Sequence, residues 1–139
     1  MKSQLCIPSD FKYLGEIKIF VNEILKHCKV PLYAGMNIQL SISECVNNAI
    51  YHGNKQDLNK LVTIFAECKN GYLVIEIADE GEGFNYSELP DPTSSLNIKK
   101  EGGRGLFIIR NLVDQISFKN NGSVIQLKFK LDREHKFLF

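Results

Sequence analysis

Three stretches of this chain carry side chains able to do chemistry. The first is ISECVNNAIYHGNKQD, residues 42–57, which sets Glu44, Asn47, Asn48, Tyr51 and His52 close together ahead of Gly53. At about 100° per residue, a helix places Glu44, Asn48 and His52 on one stripe, each a turn beyond the last, with Asn47 about 100° away. A carboxylate in such a place can take a proton from a nucleophile. An amide oxygen beside it can hold a hard cation such as Mg2+, which takes few protein ligands. The same stripe also reads as an ordinary solvated helix face.

The second stretch is IEIADEGEGF, residues 75–84, a strand running into Asp79 and then Gly81 and Gly83. An ionised Asp only accepts hydrogen bonds, which suits it to an N–H donor such as an exocyclic amine. The glycines allow the backbone to turn and approach a ligand closely. The other reading is an acidic turn; a calcium loop fails on the spacing of its ligands. The third stretch is EGGRGLFIIRN, residues 101–111, in which Gly102, Gly103 and Gly105 precede a helix pattern beside Arg104. Free N–H groups at a helix start can receive an anion. The run matches neither the P-loop nor the dinucleotide fingerprint, and a plain loop fits it equally well.

Helices and strands must position these residues. The segment QLCI reads as a first strand, and PSD breaks it, with Ser9 or Asp10 free to cap the following helix. Apolar residues Leu14, Ile17, Val21, Ile24, Leu25 and Cys28 then keep a 3–4 spacing, which predicts an amphipathic helix over 11–28. KVPLYAG reads as a break. A second helix is expected from about Met36 to Tyr51, with Ile38, Ile42, Cys45, Val46 and Ala49 on its apolar side. Two alternating runs flank Asn70-Gly71, and two more flank Asn121-Gly122; each reads as a hairpin. Between the hairpins lie a long loop over 84–102 and the helix-like GLFIIRNLVDQ. Structureless loops of that length are uncommon in compact domains and often serve as lids. This order predicts an α+β fold: a two-layer sandwich with helices on one face of a mainly antiparallel sheet. The chain reads as one domain over 1–139, with 84–102 as the lid. The tail ends in Phe137, Leu138 and Phe139, for which simple packing is the reading.

Composition narrows the function classes. Hydrophobic residues make up 44% and charged residues 24%, ordinary values for a globular domain with a core. A formal net charge of +1 gives no strong pull toward nucleic acid. No run approaches the apolar length of a membrane span, and the N-terminus lacks the apolar core of a signal peptide. The cysteines, Cys6, Cys28, Cys45 and Cys68, form no CxxC pair, which speaks against zinc. Cys28 and Cys45 fall on apolar helix sides and read as small buried hydrophobes in a reducing cytosol.

Taken in order, E-x-x-x-N-A-x-x-H-G, D-x-G-x-G and G-x-G-L before a helix resemble the ATP-binding domain shared by histidine kinases, gyrase, the ninety-kilodalton heat-shock chaperone and the mismatch-repair ATPases. Within that superfamily, the start IPSDFKYLGEIKIFVNEIL and the compact size look most like the bacterial anti-sigma-factor serine kinases. The resemblance spans roughly Leu5 to Leu131. It implies a Bergerat-type fold with a mixed, mainly antiparallel sheet, and an ATP-dependent serine/threonine kinase with Mg2+. It further implies Glu44 as general base, Asn48 as the Mg2+ ligand, and Asp79 with Gly81 and Gly83 at the adenine. Gly103, Arg104, Gly105 and Leu106 would form the phosphate-side loop and helix start. His52 matches a residue often present at its place. Asn47 stands where related sequences often carry Thr. The implied partners are a sigma factor and a small antagonist protein phosphorylated on Ser or Thr, with a homodimer, a cytoplasmic setting, no membrane and no direct nucleic acid.

Two other functions stay in play. The chain could be a nucleotide-binding switch without kinase activity; Glu44 speaks against this, since a pure binder needs no base. A true histidine kinase fits poorly, because the first strand and helix consume the residues ahead of Glu44. His27 then reads as a surface or C-cap residue.

Overall fold

The computed structural model describes residues 2–82, 109–110 and 112–131. Strand β1 (Lys2–Pro8) leads through a single-turn 3-10 helix, Phe11–Tyr13, into helix α1 (Leu14–His27) and helix α2 (Leu32–Asn48). A π-helical turn, Ala49–Gly53, extends α2. Then come β2 (Leu61–Lys69), β3 (Tyr72–Ala78), β4 (Gln115–Lys119) and β5 (Val124–Lys130). The strand order is β1-β2-β3-β5-β4. This is the α+β two-layer arrangement that the sequence pattern predicts. All four pairings are antiparallel, so the parallel pairing of a mixed sheet is not among the described strands.

The elements form where local chemistry favours them. Asp10 stays extended and accepts from the Lys12 N–H at 3.0 Å, relieving a donor that the helix start leaves unpaired. On α1, Ile17, Val21, Ile24 and Leu25 are buried, while Lys18, Asn22, Glu23 and Lys26 are exposed. The buried set of α2 includes Ile38, Ile42, Cys45 and Val46. One face of the sheet answers with Ile7, Val62, Ile64, Ala66, Leu73, Ile75, Ile77, Leu127 and Phe129. These strand positions alternate with half-exposed neighbours, as a sheet covered on one face requires. Gln39 ties the helices together, donating to the Lys18 carbonyl at 3.1 Å and to Asn22 Oδ1 at 2.8 Å.

Three expectations are corrected. Helix α2 begins at Leu32 and not near Met36. Pro31 is its N-cap, and the Ala34 and Gly35 N–H groups donate to the Pro31 carbonyl. Proline is tolerated at a helix start, where its missing N–H would be unpaired anyway. Gly35 misleads as a breaker: it is buried, and a Cβ there would lie 3.3 Å from Leu25 Cδ1, so its smallness serves close packing of the helices. Second, Cys28 is half-buried and disulfide-bonded to Cys68, with Cα atoms 6.1 Å apart; it is not the free buried thiol that its helical spacing suggests. Third, the turns differ. Asn70 and Gly71 have φ of 53° and 82°, the twin positive values of a two-residue hairpin. The second hairpin pairs Lys119 with Val124 and closes through Asn120–Gly122 with positive φ throughout. It is a longer connection than a two-residue turn.

Cys45 is buried and free. Burial first, and then the Glu44 charge, push its thiol well up, which keeps it neutral. No helix among the described residues is long and apolar enough to cross a membrane. Ile75 lies at the sheet centre with no exposed surface. Ile75→Ala should lower the unfolding free energy by about 2–5 kcal/mol, read from the urea midpoint at constant m-value.

Candidate functional site

The site begins where α2 stops being an α-helix. The Asn54 N–H donates to the Ala49 carbonyl at 2.8 Å, an i to i+5 bond that closes the π turn Ala49–Gly53. A π turn holds more residues than an α turn. The uniform step of about 100° behind the Glu44–Asn48–His52 stripe holds to the end of α2 and gives way to a smaller step per residue within Ala49–Gly53. Glu44 and Asn48 sit half-buried in the last turns of α2, whereas His52 is exposed and meets the Tyr51 ring edge-on at 4.8 Å between centroids. Asn47 changes standing in the other direction. Sequence spacing set it about 100° off the stripe, yet its Oδ1 is buried with no hydrogen-bond partner among the described residues.

The widened turn brings Gly53 onto the end of β3. A Cβ on Gly53 would lie 2.8 Å from Asp79 Oδ1 and still nearer to the other carboxylate atoms. A Cβ on Gly81 would lie 3.0 Å from Asp79 Oδ1 and would collide with the Gly53 carbonyl. Asp79 is thus wedged between two glycines from separate segments, and each must lack a side chain for the carboxylate to fit. Its own N–H donates to the Ser123 carbonyl at 2.9 Å. Its Oδ1 accepts from the Gly81 N–H at 2.8 Å, and its Oδ2 has no hydrogen-bond partner among the described residues. Burial raises the Asp79 pKa, opposed by the Gly81 N–H and by Lys60.

A buried polar cluster secures the wedge. Asn54 has no exposed surface. Its Nδ2 donates to Ser9 Oγ at 2.9 Å and to the Leu61 carbonyl at 3.0 Å, and its Oδ1 accepts from the Glu80 N–H at 2.8 Å. Ser9, also buried, donates to the Lys60 carbonyl at 2.6 Å. The Glu80 carboxylate accepts from the Leu61 N–H. The ends of β1, α2 and β3 and the start of β2 therefore meet in one network.

The first two clusters read from the sequence are thus joined physically, through Gly53 against Asp79. Gly83, Gly103, Arg104, Gly105 and Leu106 lie outside the described residues, as does the 84–102 lid. Of the helix expected after them, Ile109, Arg110 and Leu112 are helical, and Ile109 is fully buried. Sequence reasoning missed Ser9, Gly53 and Asn54 as parts of the site. A polar residue in a short loop reads as solvated, and only the three-dimensional crossing shows otherwise.

A model of the histidine kinase-like ATPase domain matches residues 7–129. The chain belongs to that family. Among curated relatives, the serine-protein kinase RsbW of Staphylococcus aureus strains MSSA476 and JH9 is 24% identical, over 94% of this chain and 87% of theirs. A crystal structure of the RsbU and RsbW domains of a Mycobacterium tuberculosis protein superposes with a TM-score of 0.67 at 14% identity. It covers 94% of this chain, which spans about a third (32%) of the length of that protein, so this likeness speaks for the fold alone. Family membership agrees with the motif order that singled out Glu44, Asn48 and Asp79.

Two glycines separate the wedge from the general helix effect. Gly53→Ala should destabilise by about 1–3 kcal/mol through overpacking against Asp79. Gly15→Ala, in α1 with nothing within 4 Å of the new methyl, should stabilise by about 0.5–1 kcal/mol. Thermal melts of the two variants should shift in opposite directions.

Proposed function

We propose that this chain is an ATP-dependent protein serine/threonine kinase that acts as an anti-sigma factor, phosphorylating a small antagonist protein. The observation that carries the reading is the half-buried Asp79 carboxylate, wedged between Gly53 and Gly81 at the end of the helix that holds Glu44 and Asn48. The motif order and the RsbW relatives point the same way.

In this reading Asp79 takes the adenine amine. Gly81 occupies one carboxylate oxygen, and the other can accept from the exocyclic amine. Gly53 and Gly81 lack side chains where the Asp79 carboxylate and the crossing backbone fill the space, which holds the carboxylate in place. Asn48, one turn beyond Glu44, would hold Mg2+, whose charge would offset that of the phosphates. Phosphoryl transfer asks a protein mainly to position groups and balance charge. Glu44 takes the proton from the Ser or Thr hydroxyl as its oxygen bonds to the γ-phosphorus, and ADP leaves. The phosphorylated antagonist no longer captures the kinase, which is then free to hold its sigma factor. A homodimer and a cytoplasmic setting belong to the same proposal.

Radiolabelled phosphate transfer to a candidate antagonist tests the kinase reading. Wild type should label the antagonist. Glu44→Ala should slow transfer by about 100-fold or more while leaving the ADP dissociation constant nearly unchanged. Undiminished transfer by Glu44→Ala removes the base assignment; ADP binding without transfer to any partner favours a switch without kinase activity.

Asp79 gives a second test with a definite sign. Burial makes the free protein favour the protonated carboxyl, whereas an amine donor favours the ionised form. Binding must then expel a proton at low pH. ADP affinity should rise with pH through a range above that of an ordinary aspartate and level off once Asp79 is ionised. Calorimetry at several pH values should show this rise in wild type and lose it in Asp79→Asn, which should also bind more weakly throughout.

A further inference from the structure

Asn54 lies outside every motif that marks the site, yet it holds the residue that follows Asp79. Its Oδ1 accepts from the Glu80 N–H at 2.8 Å, while its Nδ2 reaches Ser9 Oγ and the Leu61 carbonyl. Its own N–H closes the π turn on Ala49. One fully buried side chain thus spans three segments that share no local sequence. We propose that Asn54 is a positioning residue for nucleobase selection: by holding the Glu80 amide it fixes the Asp79 carboxylate where it distinguishes a base bearing an amine from one bearing a carbonyl. This inference rests on the nucleotide-binding reading above.

The physical case has three parts. Asp79 is gripped at its own N–H by Ser123 and at Oδ1 by the Gly81 N–H. The peptide between those two anchors carries the Glu80 N–H, and Asn54 is the side chain that takes it. Rotation of that peptide would swing Gly81 away from Oδ1 and alter the direction of the free Oδ2. Room is the second part. Gly53 and Gly81 sit so close to the carboxylate that a methyl at either collides with it or with the opposing backbone, so a small shift of the turn displaces the carboxylate and is not absorbed by slack. The third part is specificity. An ionised carboxylate accepts hydrogen bonds only. It gains a bond from an exocyclic amine and is repelled by a carbonyl oxygen in the same place. Selection between the two is therefore as sharp as the carboxylate's placement.

Asn54 is also a stability residue, since removing a buried, fully bonded amide strands its partners. The readout must be one that stability alone does not move. ADP and IDP differ at the base in the 6-position, where the inosine ring carries a carbonyl in place of the amine, and in the adjoining N1, which gains a hydrogen; the ratio of their dissociation constants therefore reports how squarely the carboxylate faces the 6-position. Wild type should prefer ADP by about tenfold or more, the worth of one good hydrogen bond to a charged group. Asn54→Ala should bring the ratio close to one, mainly by weakening ADP. Asn54→Asp keeps an oxygen for the Glu80 N–H and gives up both donations, so it should lose stability and retain most of the preference. Ile75→Ala, destabilised through the core, should keep the wild-type ratio.

A wild-type ratio in Asn54→Ala, or a ratio in Ile75→Ala that collapses with its stability, overturns the inference. A wild type that binds ADP and IDP equally overturns it too. If wild type binds neither nucleotide, the functional reading fails and this inference falls with it; ADP binding with an unmoved ratio defeats this inference alone. Should Asn54→Ala not fold, amide exchange in the wild type decides. The Glu80 N–H should be protected to the level of the Ile77 amide in β3, and exchange at the rate of an open loop refutes the bond's role.

Discussion

The contact between Gly53 and Asp79 is the constraint from which the rest of the site follows. It joins the end of a helix to the end of a strand with no side chain between them. To reach that crossing, the chain leaves α2 through a π turn instead of a regular one. Half-burial of the carboxylate follows from the same contact, and half-burial shifts its proton affinity. The buried polar cluster of Ser9 and Asn54 supplies the hydrogen bonds that the crossing backbone would otherwise lack. In a region shielded from water, such bonds are obligatory.

Much of the architecture is legible because it rests on local rules. The 3–4 spacing from Leu14 to Cys28 and the alternation around Asn70-Gly71 each have a direct physical cause, and both elements stand where those causes put them. What the pattern misjudged involved residues whose meaning depends on a distant neighbour. Gly35 looks like a helix breaker until Leu25 stands against it. Cys28 looks like a small hydrophobe until β2 brings Cys68 alongside.

The site divides along the same line. Glu44, Asn48 and Asp79 stood out because their chemistry and order form a motif. Asn54 did not, although its buried side chain bonds to three separate segments. Residues whose chemistry suits a ligand announce themselves by type, whereas those that hold them announce themselves only by contact. Asn47, off the stripe in the sequence, carries a buried oxygen with no hydrogen-bond partner among the described residues, a state that a folded protein rarely leaves in place without a reason.

The network around Asn54 also bears on the order in which the chain gains its structure. Ser9 and Asn54 are separated by 45 residues, and Asn54 and Glu80 by 26. The Asn70-Gly71 hairpin needs no such reach, and local contacts close faster than distant ones. The Asn54 network can therefore be complete only once the ends of β1 and β3 and the start of β2 have met around it. A nascent or partly unfolded chain, however helical and however well paired in its hairpins, lacks the Gly53–Asp79 crossing, so the crossing is itself a report that folding is complete.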